Sequence, residues 1–161
     1  MKTAIIYISS HGTTEKVAFI LKEKLNDLQP ILIDLKKERA PSLAQFDNII
    51  IGGSIHAGII KKRLTDLLLN NKEILTTKKL GLFLCHGYDG EKAQVQFNNA
   101  YSEELRDKAI AKGLFGGEFL FDKMNFFERF LTKKIVGITE SKSQIDFDAI
   151  NQFTSSYIKS I

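Results

Sequence analysis

Five short apolar runs recur along the chain, each closed by a polar or glycine-bearing loop, and between them apolar residues fall at helical spacing. Thr3 to Ile8, Ile31 to Leu35, Asn48 to Ile51, Leu80 to Cys85 and Leu114 to Phe121 are of strand length. The first and third runs are rich in isoleucine and scarcely alternate with polar residues, the pattern of strands buried on both faces of a parallel sheet. After the first run, Val17, Ile20, Leu21, Leu25 and Leu28 make one helical stripe that Pro30 ends, and Ile60, Leu64, Leu67 and Leu68 make another. Glu91 to Ala111 is helical by composition, with Phe97, Tyr101, Leu105 and Ala109 recurring every four residues and Ser102 a candidate internal cap. It reads equally as one long helix or two short ones. Gly116 and Gly117 suggest a bulge in the fifth strand, and Asp146 is placed to cap a last helix whose inner face is Phe147, Ile150, Phe153, Tyr157 and Ile161.

Strands joined through amphipathic helices require crossovers, and right-handed crossovers on a parallel sheet give a doubly wound α/β sandwich. The expectation is a five-stranded parallel sheet of order 2-1-3-4-5 with helices on both faces. A length of 161 residues with 43% hydrophobic content fits one compact domain over residues 1–161. In such sheets the ligand sits beyond the carboxyl ends of the strands, at the switch point between the first and third. Attention therefore falls on the loops after Ile8, Gly52 and Cys85.

Composition removes several alternatives. One cysteine, Cys85, allows no internal disulfide, and no His or Cys cluster has zinc-like spacing, so a reducing cytosol is expected. Met1-Lys2 runs directly into an apolar segment too short for a secretory core or a spanning helix. The formal charge of +4 is spread among interleaved acidic and basic residues, and no nucleic-acid motif accompanies it, so no nucleic-acid partner is expected.

The first loop, Ser9-Ser10-His11-Gly12-Thr13-Thr14, combines hydroxyl donors with a helix N-terminus, whose unpaired N–H groups and positive dipole favour an anion. The loop contains no lysine or arginine, so a phosphate there is expected to be held by neutral donors. The Gly-Lys-Ser/Thr ending of a nucleotide-hydrolysing loop is missing. The plainer alternative is that these hydroxyls only cap the helix. In the second loop, Gly52-Gly53-Ser54-Ile55-His56 approaches a hydrolase nucleophile elbow but lacks the small residue at its last position. In the third, Tyr88 of Cys85-His86-Gly87-Tyr88-Asp89-Gly90 stands ready either to stack on a flat ligand or to pack on the next helix. His11, His56 and His86 share this edge with Asp89 as the one obvious further ligand, which does not make a metal site. A phosphorylatable aspartate at the end of the third strand, needed for a receiver domain, is absent.

The first loop resembles the hydroxyl-x-x-Gly-x-Thr phosphate loop of flavodoxins. Gly52-Gly53-Ser54-Ile55-His56-Ala57-Gly58 is similar to the Gly-x-Ser-Ile-x-x-Gly segment of the flavodoxin-like branch that includes menaquinone-dependent protoporphyrinogen oxidase. Lys123-Met124-Asn125-Phe126-Phe127-Glu128 and Thr139-Glu140-Ser141-Lys142 fall where that branch has an aromatic, basic insertion. The resemblance implies non-covalent FMN as cofactor. Ser9, Ser10, His11, Gly12, Thr13 and Thr14 would lie on its phosphate, with Gly53, Ser54, Ile55, His56, Ala57, Gly58, His86, Gly87, Tyr88 and Asp89 flanking its ring. The aromatic and arginine residues of the branch are replaced here by His56 and Ala57, which favours general electron transfer over porphyrinogen oxidation. A redox protein or a quinone is the partner so implied, and a flavin-free interaction module is the contrasting possibility.

Residues 122–138 form the insertion, with Phe126, Phe127, Phe130, Leu131 and Ile135 on one helical face beside Arg129, Lys133 and Lys134. Such a face is expected to pack on the domain. Peripheral contact with the inner face of a membrane is the alternative that its basic, aromatic character permits.

Overall fold

The computed structural model describes residues 1–55, 59–87, 90–119, 123–136 and 140–161. Strands β1 (Thr3–Tyr7), β2 (Ile31–Asp34), β3 (Asn48–Ser54), β4 (Lys79–Cys85) and β5 (Ala111–Leu114) form an all-parallel sheet of order β2-β1-β3-β4-β5. This is the expected topology. Helices α1 (Thr13–Lys24), α2 (Lys62–Asn70), α3 (Lys72–Leu75), α4 (Glu91–Ala100), α5 (Glu103–Lys108) and α7 (Phe147–Lys159) flank it.

The period-2 geometry of the strands sorts the core into two layers. Ala4, Ile6, Ile49, Ile51, Leu80, Leu82 and Leu84 point to the side of α2, α4 and α5, where they meet Leu64, Phe97 and Leu105. Ile5, Tyr7, Ile50, Phe83 and Cys85 point to the side of α1 and α7, where they meet Val17, Leu21, Ile150 and Phe153. Both faces are covered, which is why the strand sequences show no polar alternation. Each fully buried isoleucine or leucine contributes roughly 1.5–3 kcal/mol. Two buried tyrosines place their hydroxyls on β4 backbone, Tyr101 donating to the Phe83 carbonyl at 2.6 Å and Tyr157 to the Lys79 carbonyl at 2.7 Å.

The fifth strand differs from the expectation over Leu114–Phe121. It begins at Ala111, and the segment from Gly116 to Phe119 is a separate strand, β6, paired antiparallel with β7 (Lys142–Ile145) in a second, two-stranded sheet. Gly116 is the cause, and it marks a change of sheet rather than a bulge. Its φ of +65° turns the chain, and a Cβ there would lie 1.9 Å from the Gln144 carbonyl oxygen. The strand start is hidden in sequence because Ala109 continues the every-four spacing of the preceding segment, whose helical composition runs on to Ala111, and which is resolved as two helices with Ser102 at the N-cap of the second.

Three smaller differences concern helices. The first helix stops at Lys24, followed by a 3-10 turn over Asn26–Leu28, rather than running to Leu28. Asp146 caps α7 as expected, its carboxylate accepting the Ala149 N–H at 2.8 Å, but Phe147 is 53% exposed and does not belong to the inner face. Helix α6 (Phe126–Val136), between β6 and β7, leaves Phe126, Phe127 and Phe130 exposed by 88%, 70% and 55%. That part of its face does not pack on the domain.

Candidate functional site

The carboxyl ends of β1, β3 and β4 gather the three loops at one edge of the sheet. The first begins where β1 ends, with the Ile8 N–H on the Gly52 carbonyl at 3.3 Å, and the Ile55 N–H reaches the Cys85 carbonyl at 3.1 Å. These bonds hold the ends of the three central strands together.

Gly12 is the N-cap of α1, with φ 99° and ψ −14°, a left-handed conformation that glycine adopts without a Cβ penalty. Its own N–H donates to Ser9 Oγ at 3.0 Å, which shapes the turn. No side chain caps the helix, so the N–H groups opening α1 retain their capacity for an external acceptor. Thr13 is buried and Thr14 is fully buried. Ser10 Oγ and Thr14 Oγ1 are themselves inaccessible, and Ser10 Oγ has no hydrogen-bond partner among the described residues. The Thr14 hydroxyl is a hydrogen-bond partner of the Cys85 thiol. Burial pushes that thiol up to about 12, the Thr14 hydroxyl acting against the rise and the Glu118 carboxylate adding to it. It stays protonated at neutral pH and is no thiolate nucleophile.

Charges reach this loop from a distant part of the chain. The Glu118 side chain, 7% exposed on β6, accepts from Lys16 Nζ and from the Ser143 hydroxyl, both at 2.8 Å. Burial alone would raise its carboxyl, but the bonds from Lys16 and Ser143 and the positive charges of Lys16 and Lys123 outweigh burial and lower it below the ordinary value. His11 Nε2 lies 3.2 Å from Glu128 Oε2 on α6. Glu128 and Asn125 also cap that helix reciprocally: the Asn125 N–H donates to Glu128 Oε2 at 3.0 Å and the Glu128 N–H to Asn125 Oδ1 at 2.9 Å. Lys123 Nζ lies over Gly12, 3.3 Å from where a Cβ would stand. The loop itself carries no lysine or arginine, but a lysine from the segment before α6 lies beside it, which sequence spacing alone could not place there.

The other expected site residues have varied surroundings. Gly53 is buried in β3, and the space a Cβ would take is filled by Leu64 at 2.7 Å, a packing role. Ser54 ends β3 and Ile55 follows it, both half-buried at the strand edge. His86 is buried, its Nε2 accepting the Gly116 N–H at 3.3 Å and its own backbone N–H donating to the Gly116 carbonyl at 2.8 Å. It joins the end of β4 to β6. Gly87 follows, half-buried. His56, Ala57, Gly58, Tyr88 and Asp89 lie outside the described residues. A separate open groove of about 600 Å³ runs along β5 between Phe97, Arg106 and Phe153, and shares no residue with these loops.

A five-stranded, doubly wound parallel sheet with its loops gathered beyond the carboxyl ends of the central strands defines an α/β domain of the open-sheet class. Sequence comparison makes the class specific: the flavodoxin domain profile matches residues 4–146, and the chain belongs to that family. Solved structures agree on the fold. Flavodoxin 2 from Bacillus cereus is 18% identical over all of both chains with a TM-score of 0.64. A short-chain flavodoxin associated with a non-canonical PDU bacterial microcompartment is 13% identical, covering 99% of this chain and 98% of its own, with a TM-score of 0.59. The flavodoxin of Streptococcus pneumonia TIGR4 is 17% identical over all of both chains with a TM-score of 0.58. No curated protein matches the sequence significantly.

Proposed function

We propose that this chain binds FMN non-covalently at the β1–α1 loop and serves as an electron-transfer flavoprotein. The observation that carries the reading is the buried Ser10 hydroxyl, unpartnered among the described residues, at an uncapped helix N-terminus, beside the buried Thr13 and Thr14. A buried hydroxyl left unpaired costs about 1–3 kcal/mol, so a ligand that accepts from it recovers stability. A phosphate fits that donor set, with the α1 amides and the Ser10, Thr13 and Thr14 hydroxyls as its holders. When bound, the flavin supplies the redox chemistry. The residues that end β3 and β4, Ser54, Ile55, His86 and Gly87, are placed to flank its ring, and their backbone dipoles to bias its charge.

The test is binding. Purified protein incubated with excess FMN is expected to turn yellow and quench flavin fluorescence, whereas failure of both leaves a flavin-free interaction module. Thr13→Val and Thr14→Val are expected to weaken FMN more than riboflavin, because only FMN carries the phosphate. Equal weakening of both would contradict the phosphate assignment.

A second reading is favoured by α6. Phe126, Phe127 and Phe130 stand exposed beside the exposed Lys133 and Lys134, a combination suited to the anionic inner face of a membrane and to a quinone acceptor. Among the described residues no helix is long and apolar enough to cross a membrane, so such contact would be peripheral. On this reading the protein is a porphyrinogen dehydrogenase that passes electrons to a quinone. Turnover of protoporphyrinogen with a menaquinone analogue is its expected signature, and no turnover by the flavin-loaded protein retires it.

A further inference from the structure

We propose that Lys123 is the cationic arm of the anion site at the N-terminus of α1, and that it sets a preference for phosphorylated over unphosphorylated flavin. The inference rests on the flavin reading above and assigns a residue outside the β1–α1 loop.

The local charge balance singles out this lysine. Glu118 is the nearly buried carboxylate beside the loop, and Lys16 already meets it in a 2.8 Å ion pair, with the Ser143 hydroxyl on the same oxygen. Lys123 adds its charge to that group, yet among the described residues no hydrogen bond or ion pair holds its ammonium. Lys123 thus brings an ammonium with no bonded carboxylate among those residues to the place where α1 opens, a turn whose own Glu15 is paired with Lys37 and whose His11 is met by Glu128. Its Nζ lies over the Gly12 backbone, 3.3 Å from the vacant Cβ position, so that a side chain there would press on the ammonium.

The position is maintained from both sides. Two residues after Lys123, Asn125 begins the reciprocal cap with Glu128, and Glu128 in turn contacts His11 of the loop at 3.2 Å. On the other strand of the insertion, Lys16 of α1 binds Glu118 of β6. The segment before α6 is therefore tied to the first turn of α1 through two pairs. Lys123 keeps a flexible, exposed stem between them, so its ammonium can turn onto a bound oxyanion without disturbing either. The buried Ser10 hydroxyl, lacking a partner among the described residues, independently marks the same loop as a ligand position.

Loss of one charge-assisted contact to a phosphate lowers affinity roughly ten- to a hundredfold. Dissociation constants for FMN and for riboflavin should be measured by flavin fluorescence on wild type, Lys123→Met and Lys123→Arg. Lys123→Met is expected to weaken FMN about tenfold or more and riboflavin less than about twofold, with Lys123→Arg retaining most of the preference. The wild-type preference itself is expected to shrink as salt rises from about 50 to 500 mM, and this second measurement needs no variant. If wild type binds FMN but Lys123→Met keeps the same FMN-to-riboflavin ratio, the assignment is overturned while the flavin reading stands. If wild type binds neither flavin, both fall.

Discussion

At the residue scale, the site is built from groups that are costly unless something meets them. Ser10 buries a hydroxyl without a partner among the described residues, and Cys85 buries a thiol that stays neutral against the Thr14 hydroxyl. Glu118 is the exception, because it is buried and fully compensated. Its lowered pKa means that the folded protein keeps it ionised further into acid than the unfolded chain does. That contribution to stability is present above the ordinary carboxylate value of 4.5 and disappears as pH falls through the lowered folded value. Glu118→Gln is therefore expected to flatten the part of the acid-side loss due to this group, as urea midpoints measured between about pH 6 and pH 2 would reveal. An unchanged difference between variant and wild type across that range would remove Glu118 from the linkage.

At the element scale, two termini decide how helices attach. Helix α7 starts on Asp146, whose N–H is itself bound to the Phe115 carbonyl at 3.0 Å, so the cap also ties β5's exit to the last helix. Asp146→Ala is expected to cost about 1 kcal/mol in equilibrium unfolding, the usual worth of an N-cap side chain. A loss below about 0.3 kcal/mol would mean that the neighbouring backbone, not the carboxylate, holds the turn. Helix α6 starts on Asn125, and its cap partner Glu128 is shared with His11. The same element end therefore serves both the helix and the loop it rests against.

At the scale of the whole molecule, the parallel sheet brings the three loops to one edge because every crossover returns the chain to the same end. The unit made of β6, α6 and β7 is laid against that edge. It reaches the α1 N-terminus through Glu118, Lys123 and Glu128, residues more than a hundred positions away from Lys16, Gly12 and His11. It also presents the exposed Phe126, Phe127 and Phe130 outward, so one unit faces the proposed cofactor on one side and solvent on the other.

The strand order, both core layers, the hydroxyl-rich loop and the Asp146 cap were legible in the amino-acid sequence, because each depends on periodicity or on a local pattern of a few residues. Where β5 begins, why Gly116 sends the chain into another sheet, and which side of α6 meets water were not, since neighbouring helical spacing masks the first and long-range packing determines the others. Only the tertiary structure could place a lysine over Gly12 and a carboxylate beside Lys16. Coulomb forces depend on separation in space, and sequence distance says nothing about it until the chain has folded.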